Sequence, residues 1–168
     1  KGKTILPPQG YKARPTTDFA KEGLFNILEN VYVDFSESSA ALDLFAGTGS
    51  IGLELASRGC GKVVSVEKDF KHWQYLVRVQ KELQANEWLP LKGDAFKYLQ
   101  TCKEHYGISF AAPPYALDNL KSIPDAALPL LAEGGLMILE HGAKDDFSAH
   151  PRFIDRRNYG SVNFSFFR

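Results

Sequence analysis

Leu42-Asp43-Leu44-Phe45-Ala46-Gly47-Thr48-Gly49-Ser50-Ile51-Gly52 decides the fold. An apolar run holding one carboxylate breaks into a glycine-rich turn. Helical spacing then resumes through Leu53, Leu55 and Ala56. A buried parallel strand passes into a helix in this way, with the ligand of such folds lying across the turn. Gly47, Gly49 and Gly52 satisfy G-x-G-x-x-G, so a nucleotide-type ligand is the first expectation. A tight strand-to-helix turn also needs glycine for backbone reasons alone, so the motif does not by itself choose the ligand.

Outward from this stretch, strand and helix patterns alternate. Thr16-Thr17-Asp18 offers caps for an apolar set at helical spacing (Phe19, Leu24, Phe25, Ile27, Leu28) that ends near Asn30. A polar link from Ser36 to Ser39 leads into the central strand. Lys62–Val66 reads as a second strand ending at Glu67, and a long helix follows from about Asp69 to Gln84. A short strand over Leu89–Lys92 closes at Gly93-Asp94 before a helix at 95–101. Ile108–Ala112 is a buried-type strand stopped by Pro113-Pro114-Tyr115. A helix over 117–131 and a strand over Gly135–His141 complete the alternation. The pattern predicts an α/β, Rossmann-like fold with a mostly parallel sheet and helices on both faces. Phe153–Arg157 and Val162–Phe167 are joined only by Asn158–Ser161, too short for a parallel crossover, so a C-terminal antiparallel hairpin is expected.

The chain of 168 residues reads as one domain, with a basic arm over 1–16 and a core over 17–168. With 20 basic and 20 acidic side chains, no global field draws it to a polyanion. Lys1, Lys3, Lys12 and Arg14 nevertheless cluster at one end and Arg152, Arg156, Arg157 and Arg168 at the other. Two basic segments meeting on one side would contact phosphates, whereas solvated chain ends are the plainer reading. Cys60 and Cys102 lack metal-ligand spacing and no histidine cluster accompanies them, so reduced cysteines, a cytoplasmic location and no metal are expected. No membrane-length apolar run and no signal-peptide pattern is present in the sequence, and a monomer is expected.

Glu67 lies 20 residues after Gly47, the spacing at which a carboxylate reaches a ribose in a dinucleotide site. Three features favour another ligand. Asp43 lies inside a strand, where a carboxylate is costly unless paired or hydrogen-bonded. It suits an ammonium, or braces the loop amides; a pyrophosphate has no such ammonium. Gly93-Asp94 offers a polar group for an adenine edge. Pro113-Pro114-Tyr115 ends the fourth strand on the edge of the sheet where ligands bind.

Asp43-x-Phe45-x-Gly47-x-Gly49, with Glu67, Gly93-Asp94 and the Pro-Pro-Tyr run, resembles a class I S-adenosylmethionine-dependent amino-methyltransferase. Arg14-Pro15-Thr16-Thr17-Asp18, Gly23-Leu24-Phe25-Asn26, the Leu42–Gly52 stretch and Tyr159-Gly160 are similar to the bacterial 16S rRNA guanine-N2 methyltransferase family. The resemblance spans nearly the whole chain. It implies a seven-stranded sheet ending in the hairpin, a basic arm that helps to hold the substrate, and 16S rRNA or a small-subunit ribosomal particle as partner. S-adenosylmethionine is the implied cofactor. Asp43 would serve the loop or the ammonium, Glu67 the ribose and Asp94 the adenine edge; Phe45, Gly47, Gly49, Lys68 and Ala95 join the same site. Thr17 and Asp18, helix caps by default, would also approach the methionyl end.

An exocyclic amine is a poor nucleophile because its lone pair is delocalised into the base. Two acceptors for its N–H hydrogens favour a pyramidal nitrogen, and in-line positioning supplies up to roughly 7–11 kcal/mol. In the family pattern an Asp before Pro-Pro-Tyr and the first proline's carbonyl are those acceptors, and the Tyr stacks on a flipped or unpaired base. Here the four positions are Ala112, Pro113, Pro114 and Tyr115. Ala112 removes one acceptor, a change that typically costs about 10²–10³ in rate. The implied activity is methyl transfer to the N2 amine of a guanine in 16S rRNA. Adenine-N6 or glutamine-N5 transfer, a noncatalytic or weakly active RNA-binding relative, and a dehydrogenase stand as alternatives. His141, at the end of the fifth strand, is a candidate pocket residue. Trp73, Tyr75 and Trp88 read as packing.

Overall fold

The computed structural model describes residues 16–33, 35 and 39–168. The basic arm before Thr16 and most of the Ser36–Ser39 link lie outside them. Seven strands form one sheet: β1 (Ala40–Leu44), β2 (Lys62–Glu67), β3 (Trp88–Lys92), β4 (Tyr106–Ala111), β5 (Leu131–His141), β6 (Phe153–Tyr159) and β7 (Val162–Phe167). Their order is β3-β2-β1-β4-β5-β7-β6. The first five are parallel, and β7 pairs antiparallel with both β5 and β6. The expected hairpin is therefore present. Strand order reverses between β1 and β4, the place where open α/β sheets bind ligands.

The helices are α1 (Asp18–Ile27), α2 (Ser50–Ser57), α3 (Phe70–Leu83), α4 (Ala95–Thr101) and α5 (Ile123–Ala127). Side chains alternate across the sheet, which divides the core into two layers. Ala41, Val63, Ile108, Phe110, Leu136, Ile138, Phe164 and Phe166 pack with Leu24, Leu55 and Leu76 on one face. Leu42, Leu44, Val64, Val66, Met137, Leu139 and Phe167 pack with Leu99, Ile123 and Leu128 on the other. Pro90 is accommodated because β3 is an edge strand. At the opposite edge β6 carries Asp155, Arg156 and Arg157, charges that discourage further strand addition.

Two sequence expectations need correction. The helix expected over 117–131 is a short α5 flanked by 3-10 turns at Leu120–Ser122 and Leu128–Leu130, and β5 already begins at Leu131. Pro124 is tolerated in its first turn, but Pro129 cannot continue it. The first helix relaxes into a π-turn at Leu28–Tyr32. The caps of α3 match the sequence: Asp69 accepts the His72 amide, and Gln84 ends the helix in the left-handed region.

Candidate active site

Register places the site. Leu44 pairs with Val66 and Ala111, and Ala111 with Leu139. One residue further along each chain come Phe45, Glu67, Ala112 and Glu140, a row on the C-terminal edge of the four central strands. Ala112 packs on the same face as Phe110 and Ile138, whereas Phe45, in the left-handed region, turns to the opposite layer against Phe96. The glycine loop and Ala112-Pro113-Pro114-Tyr115 therefore flank the topological switch point together.

The loop needs its glycines. Gly47 and Gly49 have φ of 58° and 77°, and Phe45, at 59°, shares that left-handed region. A Cβ on Gly49 would lie 2.5 Å from Leu76 Cδ2. Gly52 marks the close approach of α2 to the sheet: a Cβ there would lie 2.2 Å from Ser65 Oγ and 2.8 Å from Asp43 Oδ2. Its amide donates instead to Asp43 Oδ2 at 3.2 Å. Ser65 Oγ donates to the same oxygen at 2.9 Å and accepts Trp88 Nε1–H at 2.8 Å. Asp43 is thus a buried brace between β1, β2 and α2, 1% exposed, backed through Ser65 by the indole of Trp88. Desolvation pushes its carboxyl up to about 7, outweighing the bonds from Ser65 and Gly52 that favour the charged form; nearby Glu67 adds to the rise. Asp43 also lines a narrow recess with Thr16, Phe45, Gly47 and Ala112.

Glu67 is buried and both its oxygens are engaged: Oε1 accepts the Gly47 amide at 2.7 Å and Oε2 the Asp69 amide at 2.8 Å. It ties the glycine loop to the start of α3. Asp94 caps α4 by accepting the Lys97 amide at 3.0 Å, and Lys68 Nζ lies 4.0 Å from its carboxylate. Ala95 is buried beneath that cap, and Phe45 meets Phe96 edge-on at 6.2 Å. Thr17 caps α1 through the Ala20 amide at 3.2 Å, with Asp18 exposed in the first turn.

Ala112 donates its amide to Leu44 O at 3.3 Å, which continues the β1–β4 ladder past the last paired residue. Pro113 is buried and Pro114 exposed, and the Pro114 carbonyl accepts the Leu117 amide at 3.0 Å. Tyr115 donates its hydroxyl to Glu140 Oε2 at 2.8 Å. A recess of about 320 Å³ is lined by Tyr115, Asp118 and Lys121 and by the post-β5 residues Lys144 and Asp145. Asp145 is 6% exposed, and its Oδ2 has no hydrogen-bond partner among the described residues.

His141 does not line these recesses. It is fully buried on the opposite face, where Nδ1 faces Gly142 O at 2.8 Å and Nε2 faces Ser165 Oγ at 2.7 Å. A carbonyl only accepts, so Nδ1 carries the proton and Nε2 accepts from Ser165 in the neutral ring. Burial holds its pKa below the usual histidine value. Trp88 packs in the core as expected. Glu140 is the site residue that sequence reasoning missed. Its one signal is a carboxylate closing an apolar strand, the same signal that marked Glu67.

Comparison with known proteins now decides the family. All of residues 1–168 match the family described as Conserved hypothetical protein 95. The chain belongs to this family. Its relatives include ribosomal RNA small subunit methyltransferase D of Escherichia coli, 30% identical over 135 residues, 80% of this chain and 64% of that protein. Bacillus subtilis YlbH is 32% identical over 147 residues, 84% of this chain and 78% of that one. The chain thus spans less than two thirds of the E. coli relative. Among solved structures, Thermus hypothetical protein TTHA0928 superposes with a TM-score of 0.84 at 27% identity, covering 100% of this chain and 94% of that one. An RNA methyltransferase from Salinibacter ruber, solved with S-adenosyl-L-homocysteine, superposes with a TM-score of 0.69 at 17% identity over 92% of each chain, and so shares the fold. This is a rRNA methyltransferase family of class I fold, and the seven-stranded sheet with its antiparallel hairpin is its architecture.

Among the described residues no helix is long and apolar enough to cross a membrane, and no group of His, Cys, Asp and Glu could hold a metal ion.

Proposed function

We propose that this protein transfers a methyl group from S-adenosylmethionine to the exocyclic N2 amine of a guanine in 16S ribosomal RNA. The observation that carries the reading is the shared edge row: Phe45, Glu67, Ala112 and Glu140 align the glycine loop beside the Pro-Pro-Tyr loop. The residues fit the cofactor. Left-handed Gly47 and Gly49 open the backbone to a close ligand. Asp43, whose carboxyl titrates at about 7, takes its charged form beside an ammonium. Glu67 retains lone pairs for ribose hydroxyls beyond its two amide bonds. Asp94, Lys68 and Ala95 frame the adenine end, and Thr17 and Asp18 flank the methionyl end. Bound there, S-adenosylmethionine supplies an electrophilic methyl carbon.

The chain's own residues serve the amine. The Pro113 carbonyl accepts one N–H of the guanine amine, and Pro113 and Pro114 keep that carbonyl on a stiff backbone. Tyr115 lines the 320 Å³ recess, which takes the flipped nucleotide, with Lys121 and Lys144 beside its phosphate. The absent second acceptor at Ala112 slows the reaction and leaves binding intact. Incorporation of labelled methyl into small-subunit RNA, mapped to a guanine N2, tests the assignment. A second reading rests on the same alanine: a family member that holds RNA and cofactor without turnover. Cofactor binding with no incorporation into any rRNA supports that one instead.

A further inference from the structure

Glu140 is the penultimate residue of β5, 1% exposed, and its carboxylate joins two segments far apart in sequence. Thr16 Oγ1 donates to Oε1 at 2.6 Å, across 124 residues of sequence. Tyr115 Oη donates to Oε2 at 2.8 Å, across 25. Each oxygen of the one carboxylate thus receives a hydroxyl from a different segment. Hydrogen bonds to an ionised acceptor are the stronger kind, and stronger still away from water. Tyr115 is also confined laterally, since a Cβ on Gly142 would lie 3.1 Å from its Cδ2. A tyrosine ring has two torsions, and Pro113 and Pro114 have fixed φ, so fixing the hydroxyl fixes the loop. Thr16 stands between the basic segment and α1, and its neighbour Thr17 caps that helix.

We propose that Glu140 is a positioning residue. It locks the Pro-Pro-Tyr loop to the chain that enters α1, so that the ring of Tyr115 and the start of that helix are set in one register. The proposal rests on the methyltransferase reading for its catalytic consequence, while the coupling itself does not. Such coupling is reciprocal: loosening either hydroxyl must loosen the other segment.

Hydrogen exchange on the full chain tests it. Thr16→Val is expected to accelerate exchange of the Leu117 amide, which donates to Pro114 O, at least about tenfold, the effect of losing one charge-assisted bond. Exchange in α4 stays at the parental rate. Thr16→Ser, which keeps the hydroxyl, restores the parental rate at Leu117. Tyr115→Phe is expected to accelerate exchange at the Ala20 and Lys21 amides in return. Unchanged exchange at the Leu117 amide in Thr16→Val overturns the proposal. In the catalytic arm, Glu140→Gln lowers kcat on small-subunit RNA about tenfold and leaves the affinity for S-adenosylhomocysteine at the parental value. A parallel loss of cofactor affinity and Tm in that variant marks a merely structural role and also overturns it. If the parent chain shows no methyl transfer, the methyltransferase reading fails, and the exchange experiment alone decides the bridge.

Discussion

Glu67 Oε1 accepts the Gly47 amide at 2.7 Å, so the acid that closes β2 is a structural member of the glycine loop. The spacing of 20 residues that suggests a ribose ligand is also the spacing that closes this contact. The carboxylate shapes the loop before any ligand arrives. Glu67→Gln keeps one acceptor and turns an amine toward either the Gly47 or the Asp69 amide. Its expected effect is a tenfold to hundredfold weaker affinity for S-adenosylhomocysteine, about 1.5–3 kcal/mol, measured by calorimetry. Parental affinity in this variant would show that neither the loop nor the ligand depends on the carboxylate.

Gly52 is the position where α2 touches the sheet. Gly52→Ala places a methyl 2.2 Å from Ser65 Oγ and 2.9 Å from Trp88 Nε1, and backbone and buried indole cannot yield together. Loss of about 1–3 kcal/mol or more is expected from the overpacking, read as a lower urea midpoint. An unchanged midpoint contradicts the tight crossing.

The Asp43 carboxyl carries a pH dependence of definite sign. Its folded pKa, about 7, exceeds the ordinary value of 3.8, so the folded state binds the proton more tightly than the unfolded state. The stability this group contributes is complete below about pH 4. It is lost as pH rises, at about 1.4 kcal/mol per pH unit, and is gone above the folded pKa. Urea unfolding of the parent and of Asp43→Asn at pH 5 and pH 7 isolates the group. The parent should lose roughly 2 kcal/mol more than the variant over that interval. Parallel changes in the two proteins rule out a proton on Asp43.

Ala112→Asp restores a carboxylate between Phe45 and Glu140 in the edge row. Methyl transfer to small-subunit RNA should rise about 10²–10³-fold with cofactor affinity unchanged, as expected for an acceptor that acts on the amine alone. Equal turnover of the two proteins removes the position from the chemistry.

The fold was legible where a local pattern carries it. The apolar run with one carboxylate and three glycines gives β1, its turn and α2. Asp69 and Gln84 bracket α3, and the short link before Val162, only Gly160-Ser161 once Asn158 and Tyr159 pair within β6, permits only a hairpin. The broken helix near Pro124 and Pro129 was harder, because its apolar residues keep helical spacing while the prolines divide the backbone. Of the site, Asp43 stood out because a carboxylate inside a strand needs partners. Those partners were not legible: Ser65 and Trp88 are ordinary strand residues until the sheet aligns them. Glu140 stayed hidden for the same reason, since Thr16 and Tyr115 lie 124 and 25 residues away. His141 shows the converse. A histidine ending a strand at the active edge points to the other face, because alternation sends Glu140 toward the site and its neighbour away from it.

The central claim is that the glycine loop and the Pro-Pro-Tyr loop together serve methyl transfer to a guanine amine of 16S rRNA. The most direct measurement incubates the protein and Ala112→Asp with tritiated S-adenosylmethionine and small ribosomal subunits that lack the modification. Labelled nucleosides are then mapped. The account predicts label at one guanine N2, in a higher yield with the aspartate variant. Label in protein or at adenine, or binding of cofactor by both proteins with no label in RNA, contradicts it.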